Sequence, residues 1–258
     1  MHDTTISTKD FQMLAGIVYQ ETGISLSDNK VDLVKARIAK RMRTTRIPSL
    51  KEYINVIEND ASEFCCFIDA MTTNHTYFFR ENKHIEYMVE NLPLGPKHRI
   101  WCAACSSGEE PYSMAIQLAE AGRKFEIHAS DISDTMLETA SKGIYPKDRT
   151  RCVPVPLVRR YFQQGQNKWN GYYKVKKELR ENISFFKYNL ISGPPRDEYD
   201  VIFCRNVMIY FDHATRQHVV NKLYQSLRPG GLFAIGQSES LVGVEHPFKY
   251  LRPSIYCK

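Results

Sequence analysis

Over the first seventy-odd positions, apolar residues recur three and four apart, the spacing of one helix face. Phe11, Leu14, Ile17 and Val18 predict an amphipathic helix closed near Gly23. Val31, Val34, Ile38 and Met42 predict a second, and Leu50, Tyr53, Ile54 and Ile57 a third, with Pro48 and Ser49 marking the turn before it. Phe64, Phe67, Ile68 and Met71 predict a fourth. No β-rich run interrupts them, so residues 1–75 are expected to form a small all-α domain.

The pattern changes from about residue 99. Short apolar runs at 100–103, 125–129, 183–186, 199–204 and 232–235 predict strands, with one or two more within 248–256. Between them, 112–121, 135–141 and 213–227 carry helical spacing, the last stopped by Arg228, Pro229, Gly230 and Gly231. Such alternation predicts an α/β domain over 76–258, a parallel sheet covered by helices on both faces. The interval 143–177 breaks the rhythm with Pro146, Pro154, Pro156, Gly165 and Gly171 and an alternating run from Tyr172 to Lys176. It reads either as a small inserted β-subdomain or as a plain connector.

Charge refines this picture more than composition does. The 258 residues are 43% hydrophobic and 25% charged, ordinary for a globular chain. The longest apolar runs, such as Val207 to Phe211, are far short of the ~20 residues that span a bilayer. The polar start MHDTTISTKDFQ is unlike a secretory signal, so a cytoplasmic protein without membrane insertion is expected. The formal charge of +6 is unevenly placed. Lys30, Lys35, Arg37, Lys40, Arg41, Arg43, Arg46 and Lys51 crowd the second helix and its flanks. They are either a solvated surface or a dock for an acidic partner, which sequence alone leaves as protein, nucleic acid or membrane surface. Seven scattered cysteines do not suggest a disulfide framework. Cys102 and Cys105 form a lone C-x-x-C in an apolar strand, so packing is expected rather than metal or redox chemistry.

Candidate chemistry concentrates at Ile100 to Ser113, IWCAACSSGEEPYS. A buried strand gives way to small residues against which a ligand could lie, and then to a helix starting near Pro111. The phosphate-binding patterns G-x-G-x-x-G and G-x-x-x-x-G-K-[ST] are both missing. Glu109 and Glu110 at the helix start argue for a cationic or hydroxyl-rich ligand instead. Glu109, Asp131, Asn189, Arg205 and Asn206 all follow predicted strands, and a doubly wound sheet gathers such residues at one edge. Asp131 suits the two hydroxyls of a ribose, or else caps the helix after it. Asn189 suits an adenine edge. S-adenosylmethionine, an adenosine with a sulfonium and an ammonium but no phosphate, matches this set. A second cluster at 72–81 places two phenylalanines among Asn74, Thr76 and Arg80, as expected of a linker packed on the sheet. Arg80 would pair with a ligand or substrate carboxylate, or with a structural acid.

Together the stretches TTNHTYFFRE (72–81), WCAACSSGEEPYS (101–113), ASDI (129–132) and FCRNVMIYF (203–211) resemble the chemotaxis receptor methyltransferases, the CheR family, over nearly the whole chain and in the right order. The resemblance implies a Rossmann-like class I methyltransferase sheet with an inserted β-subdomain at about 143–177, preceded by the all-α domain. It implies transfer of methyl from S-adenosylmethionine to glutamate side chains of chemoreceptors, leaving S-adenosylhomocysteine. By the same resemblance Asn74, Thr76, Arg80, Glu109, Asp131, Asn189, Leu190, Arg205 and Asn206 would line the cofactor site. The basic helix would face the acidic cytoplasmic helices of a receptor, and a monomer is expected. The insertion would be the subdomain that in some members docks a receptor C-terminal peptide. Those members carry a G-x-G turn where this chain has Gly165-Gln166-Asn167, which leaves peptide docking open.

An ionised glutamate needs no general base, so the protein must supply alignment and exclude water. Arg80 and Tyr210 are the catalytic candidates, Tyr210 either orienting the acceptor or packing as an aromatic. A nucleic-acid amide or amino methyltransferase is disfavoured by the absence of [ND]-P-P-[YF], and a cytosine-C5 enzyme by the absence of Pro-Cys. A small-molecule methyltransferase and a non-catalytic cofactor sensor stay open, and no metal ligands are expected.

Overall fold

The computed structural model describes residues 6–27, 30–196 and 198–258. The chain divides into two compact units. The first comprises residues 1–73 and 210–215, the second 74–209 and 216–258.

Helices α1 (Thr8–Thr22), α2 (Val31–Thr45), α3 (Leu50–Asn59) and α4 (Ala61–Met71) form the first unit. Their starts follow from side-chain caps. Ser7 and Asp10 close a capping box on α1, Ser49 accepts from the Glu52 amide, and Asp60 accepts from Ser62 and Glu63. Gly23 ends α1 in the left-handed region at φ 65°. The predicted faces meet in one core of Phe11, Leu14, Val18, Val34, Ile38, Met42, Tyr53, Ile57, Phe67 and Met71. Inside it Arg41 pairs with the buried Glu63 through Nε and Nη2, and the Tyr53 hydroxyl donates to the same carboxylate at 2.8 Å. Arg37 donates to the Met71 carbonyl at 2.7 Å. Two of the basic residues on α2 are therefore committed to the fold, while Lys40, Arg43 and Arg46 stay exposed. Residues 210–215, which the sequence reading left with the sheet, join this unit through an Ile24–Phe211 bridge and a bond from the Ser25 amide to the Tyr210 carbonyl.

The second unit runs α5 (Lys83–Asn91), β1 (Lys97–Ala103), α6 (Glu109–Glu120), β2 (Lys124–Asp131), α7 (Asp134–Lys142), β3 (Ile144–Pro146), α8 (Val155–Tyr161), β4 (Phe162–Gln164), β5 (Tyr172–Val175), α9 (Lys177–Arg180), β6 (Ile183–Lys187), β7 (Tyr199–Cys204), α10 (His213–Gln225, from Arg216 onward), β8 (Leu227–Ala234), β9 (Lys249–Arg252) and β10 (Ile255–Cys257). The main sheet has the order β6-β2-β1-β7-β8-β10-β9, parallel from β6 to β8, with β10 antiparallel to both neighbours. The order reverses at β1, so the crevice between the ends of β1 and β7 is the switch point where such sheets bind ligands. Register keeps those ends level: Ala103 pairs with Ser130 on one side and Cys204 on the other. β1 and β7 are buried almost throughout, as central strands covered on both faces must be.

Arg228-Pro229-Gly230-Gly231, read from sequence as a helix stop, lies inside β8. The pairing with β7 slips there from Tyr199–Leu227 to Val201–Leu232, and the bulge absorbs a proline and a glycine at φ 76°. The interval 143–177 does form its own sheet, β3-β5-β4. Asn167 takes the left-handed φ of 52° there, which asparagine tolerates, and a Cβ on Gly165 would stand 2.1 Å from the Trp169 carbonyl oxygen.

Glu63→Ala should destabilise the first unit by about 2–4 kcal/mol, because it strands a partly buried guanidinium and a buried phenol. Urea unfolding of the full chain followed by circular dichroism checks this, and an unchanged midpoint would mean that the cluster contributes nothing.

Candidate active site

The backbone between β1 and α6 is held in an uncommon shape. Ala104, Ser106 and Gly108 all have positive φ, 66°, 49° and 93°. The short side chains let the loop curl, and the end of β2 pins it. The Cys105 amide bonds the Ser130 carbonyl at 2.8 Å, and the Ser106 amide bonds Asp131 Oδ2 at 2.7 Å. Asp131 Oδ1 accepts from the Ser133 amide at 3.0 Å. The cap of α7 is Ser133, whose hydroxyl accepts from the Met136 amide, so the capping role considered for Asp131 falls to its neighbour. Asp131 instead stands fixed between two loops, 7% exposed.

Glu109 opens α6 with no exposed side-chain surface. The Ser107 hydroxyl donates to its Oε2 at 2.7 Å, and Arg149 Nη1 donates to its Oε1 at 2.8 Å. Arg149 also reaches the Thr76 carbonyl at 3.3 Å. The Ser106 hydroxyl meets the Asn74 carbonyl at 3.4 Å, so the 74–76 segment is tied to this loop by its backbone. Burial raises the Glu109 pKa, and the Ser107 hydroxyl and Arg149 counter it only in part.

Arg205, expected to face a ligand, follows β7 with its side chain fully enclosed. It donates to Glu110 at 2.6 Å, to Glu81 at 2.9 Å and to the Arg80 carbonyl at 2.8 Å. Glu81 also accepts from the Asn206 side chain at 3.2 Å and the Gln237 amide at 3.0 Å. Burial alone would raise the Glu81 pKa, but these donors together hold it below the ordinary value. Burial and the nearby Arg205 hold His84 down to about 4, so it adds no charge at neutral pH. The Asn206, Val207 and Met208 amides all donate to Glu239 at 2.8–3.0 Å, and the Gly236 amide does so at 2.6 Å.

At the end of β6, Asn189 Oδ1 accepts from the Ile191 amide at 2.8 Å. The Lys222 ammonium on α10 donates to the Leu190 and Ile191 carbonyls at 2.8 and 2.7 Å. Arg80 turns back on its own segment, donating to the His75 carbonyl at 2.7 Å and lying 5.8 Å from the Tyr77 ring centre. The structure thus brings Asn74, Thr76, Glu109 and Asp131 into one bonded network, and Arg80, Arg205 and Asn206 into another. Tyr210 does not group with them. It belongs to the helical unit, where Lys30 Nζ is 5.1 Å from its ring centre. Cys102 and Cys105 are free and buried, and burial pushes both thiols well above their ordinary range, against thiolate chemistry.

Sequence reasoning missed Glu81, Arg149, Lys222 and Glu239. Glu239 had a usable signal, a carboxylate soon after the fifth strand. Arg149 and Lys222 had none, since each lies far along the chain from what it holds.

Family models match the chain in two blocks. Residues 9–72 match the CheR methyltransferase all-alpha domain, and residues 74–257 the CheR methyltransferase SAM binding domain. Chemotaxis protein methyltransferase 2 of Pseudomonas aeruginosa is 39% identical over 96% of this chain and 92% of its own length. Chemotaxis protein methyltransferases of Borreliella burgdorferi, 37% identical over 98% of this chain and 95% of their own length, and of Escherichia coli, 34% over 97% and 91%, are also similar.

Because folding raises the Glu109 pKa, its contribution to stability is full below the ordinary value of 4.5 and is lost as pH rises through the folded value. Glu109→Gln should therefore raise the melting temperature of the cofactor-free protein at pH 7, with the gain fading below about pH 4.5. Scanning calorimetry at both pH values reads this, and an equal gain at each would exclude ionisation as the cause.

Proposed function

This chain belongs to the CheR methyltransferase family, and we propose that it transfers methyl from S-adenosylmethionine to glutamate carboxylates of chemoreceptors, forming methyl esters and leaving S-adenosylhomocysteine. Membership makes it a methyltransferase with an S-adenosylmethionine-binding domain. The glutamate acceptor is our reading, supported by relatives that act in chemotaxis.

The observation that carries the cofactor reading is the pair of fixed carboxylates at the switch point, Asp131 and Glu109. The donor set fits the group. An acid for ribose hydroxyls and an acid for an ammonium stand where a phosphate site would carry amides and lysines, and the first turn of α6 bears Glu109 and Glu110. In this reading Asn74 and Thr76 line the crevice beside them, and Asn189 and Leu190 frame the adenine, their loop held by Lys222. Arg205, first expected to touch the cofactor, acts through Glu81 and Glu110 as a positioning residue, and Asn206 works with it.

The bound cofactor supplies an electrophilic methyl on a sulfonium. A receptor glutamate arrives already ionised at neutral pH, so no residue need act as base. The chain's own task is to orient the acceptor and to exclude water. We assign Arg80 to the acceptor carboxylate and Tyr210 to its orientation. The exposed Lys40 and Arg43 on α2 and Arg46 at its C-terminal cap would face acidic receptor helices, with the protein acting as a cytoplasmic monomer. No helix among the described residues is long and apolar enough to cross a membrane. A cavity of about 440 Å³ on the inserted sheet, lined by Gln163, Gln164, Trp169 and Tyr172, would take a receptor C-terminal peptide.

Asp131→Ala should abolish calorimetric binding of the cofactor, and retained affinity would sink the site assignment. Tyr210→Phe should keep that affinity and lower turnover. With methyl-labelled cofactor and receptor membranes, mild alkali should release the label as methanol. Alkali-stable label would rule out a carboxyl ester.

A further inference from the structure

Arg149 is a cation with one edge committed and the other open. It sits on the turn after β3, its side chain 46% exposed. Both of its hydrogen bonds among the described residues, to Glu109 and to the Thr76 carbonyl, come from Nη1. Nε and Nη2 are left as a planar two-donor edge, the geometry that grips a carboxylate. The partner it touches has spare capacity as well. The Glu109 carboxylate accepts from the Ser107 hydroxyl, from Arg149 and from its own amide, while a carboxylate offers about four acceptor positions.

An α-amino-acid end carries an ammonium and a carboxylate on one carbon, and a bonded acid–base pair is complementary to both. We propose that Arg149 is the carboxylate-binding half of a zwitterion clamp, with Glu109 taking the ammonium and Arg149 the carboxylate of the cofactor's methionine tail. This rests on the reading of Asp131 and Glu109 as the cofactor site. A net-neutral tail meets a net-neutral pair, so entry buries no uncompensated charge. Arg80 is the other arginine nearby, but its guanidinium is turned to the His75 carbonyl and stays available for the acceptor. The clamp also ties cofactor binding to the 74–76 segment, since the same Nη1 holds the Thr76 carbonyl.

The test compares S-adenosylhomocysteine with its decarboxylated analogue, which lacks only the carboxylate, by calorimetry on the full chain. The wild type should prefer the intact ligand by about 10- to 100-fold, the range expected for a charge-assisted pair. Arg149→Gln should erase that preference, binding both ligands about equally, and Arg149→Lys should restore part of it. A preference that survives in Arg149→Gln, or that the wild type never shows, overturns the clamp whatever the absolute affinities. Asp131→Ala separates the two levels of the argument. If it leaves both affinities intact, the site reading itself has failed. If it abolishes both while Arg149→Gln keeps the preference, only the clamp has.

Discussion

A guanidinium with no contact with water organises the floor of the crevice. Arg205 emerges from the end of β7 between Glu110 of α6 and Glu81 of the turn before α5, and it also binds the Arg80 carbonyl. The end of β7 is thereby fixed at one point to two segments that lie 95 and 124 residues before it in sequence. Two half-buried acids beside one enclosed base would be costly if any member were missing, since a desolvated charge is tolerable only when paired. A lysine could not replace the arginine, because a single ammonium lacks the planar fork that reaches two carboxylates and a carbonyl at once. Cys102 adds a thiol donor to Glu110 at 3.3 Å, which makes the apolar C-x-x-C part of this support.

Strain is concentrated where the chemistry is expected. Ala104 and Ser106 hold left-handed backbone that costs on the order of 1–3 kcal/mol at each non-glycine position. The bonds from Cys105 and Ser106 to the end of β2 offset it. The same contacts fix Asp131, so one set of hydrogen bonds shapes the loop and aims the acid. Glu239 performs the equivalent task beyond β7, gathering the amides of three successive residues.

What the sequence revealed and what it hid divide along physical lines. Periodicity disclosed the helices and strands because their burial repeats with the element itself, as with Leu14 and Val18 on α1. The acids and amides that directly follow strands were legible because a doubly wound sheet must gather them. Arg149 and Lys222 were not, since each serves a distant backbone from the middle of another element. Arg205 was located but its environment was not. A strand-end arginine looks the same in sequence whether it points to a ligand or into a nest of acids. The helix before Arg228 does end, at Gln225, but Pro229 and Gly230 hid the start of β8, whose bulge tolerates residues that normally end an element.

The return of residues 210–215 to the helical unit makes that unit discontinuous along the chain. No single cut separates the two units into complete pieces. A fragment ending at Thr73 would lack the strand-like partner of Ile24 and the carbonyl that binds the Ser25 amide. A fragment beginning at Asn74 would carry the buried Phe211 without its partner. Exchange of amino-terminal units between relatives, in the laboratory or in evolution, therefore has to transplant the hexapeptide with them. The Tyr210 side chain travels in that hexapeptide, inherited with the helices rather than with the sheet.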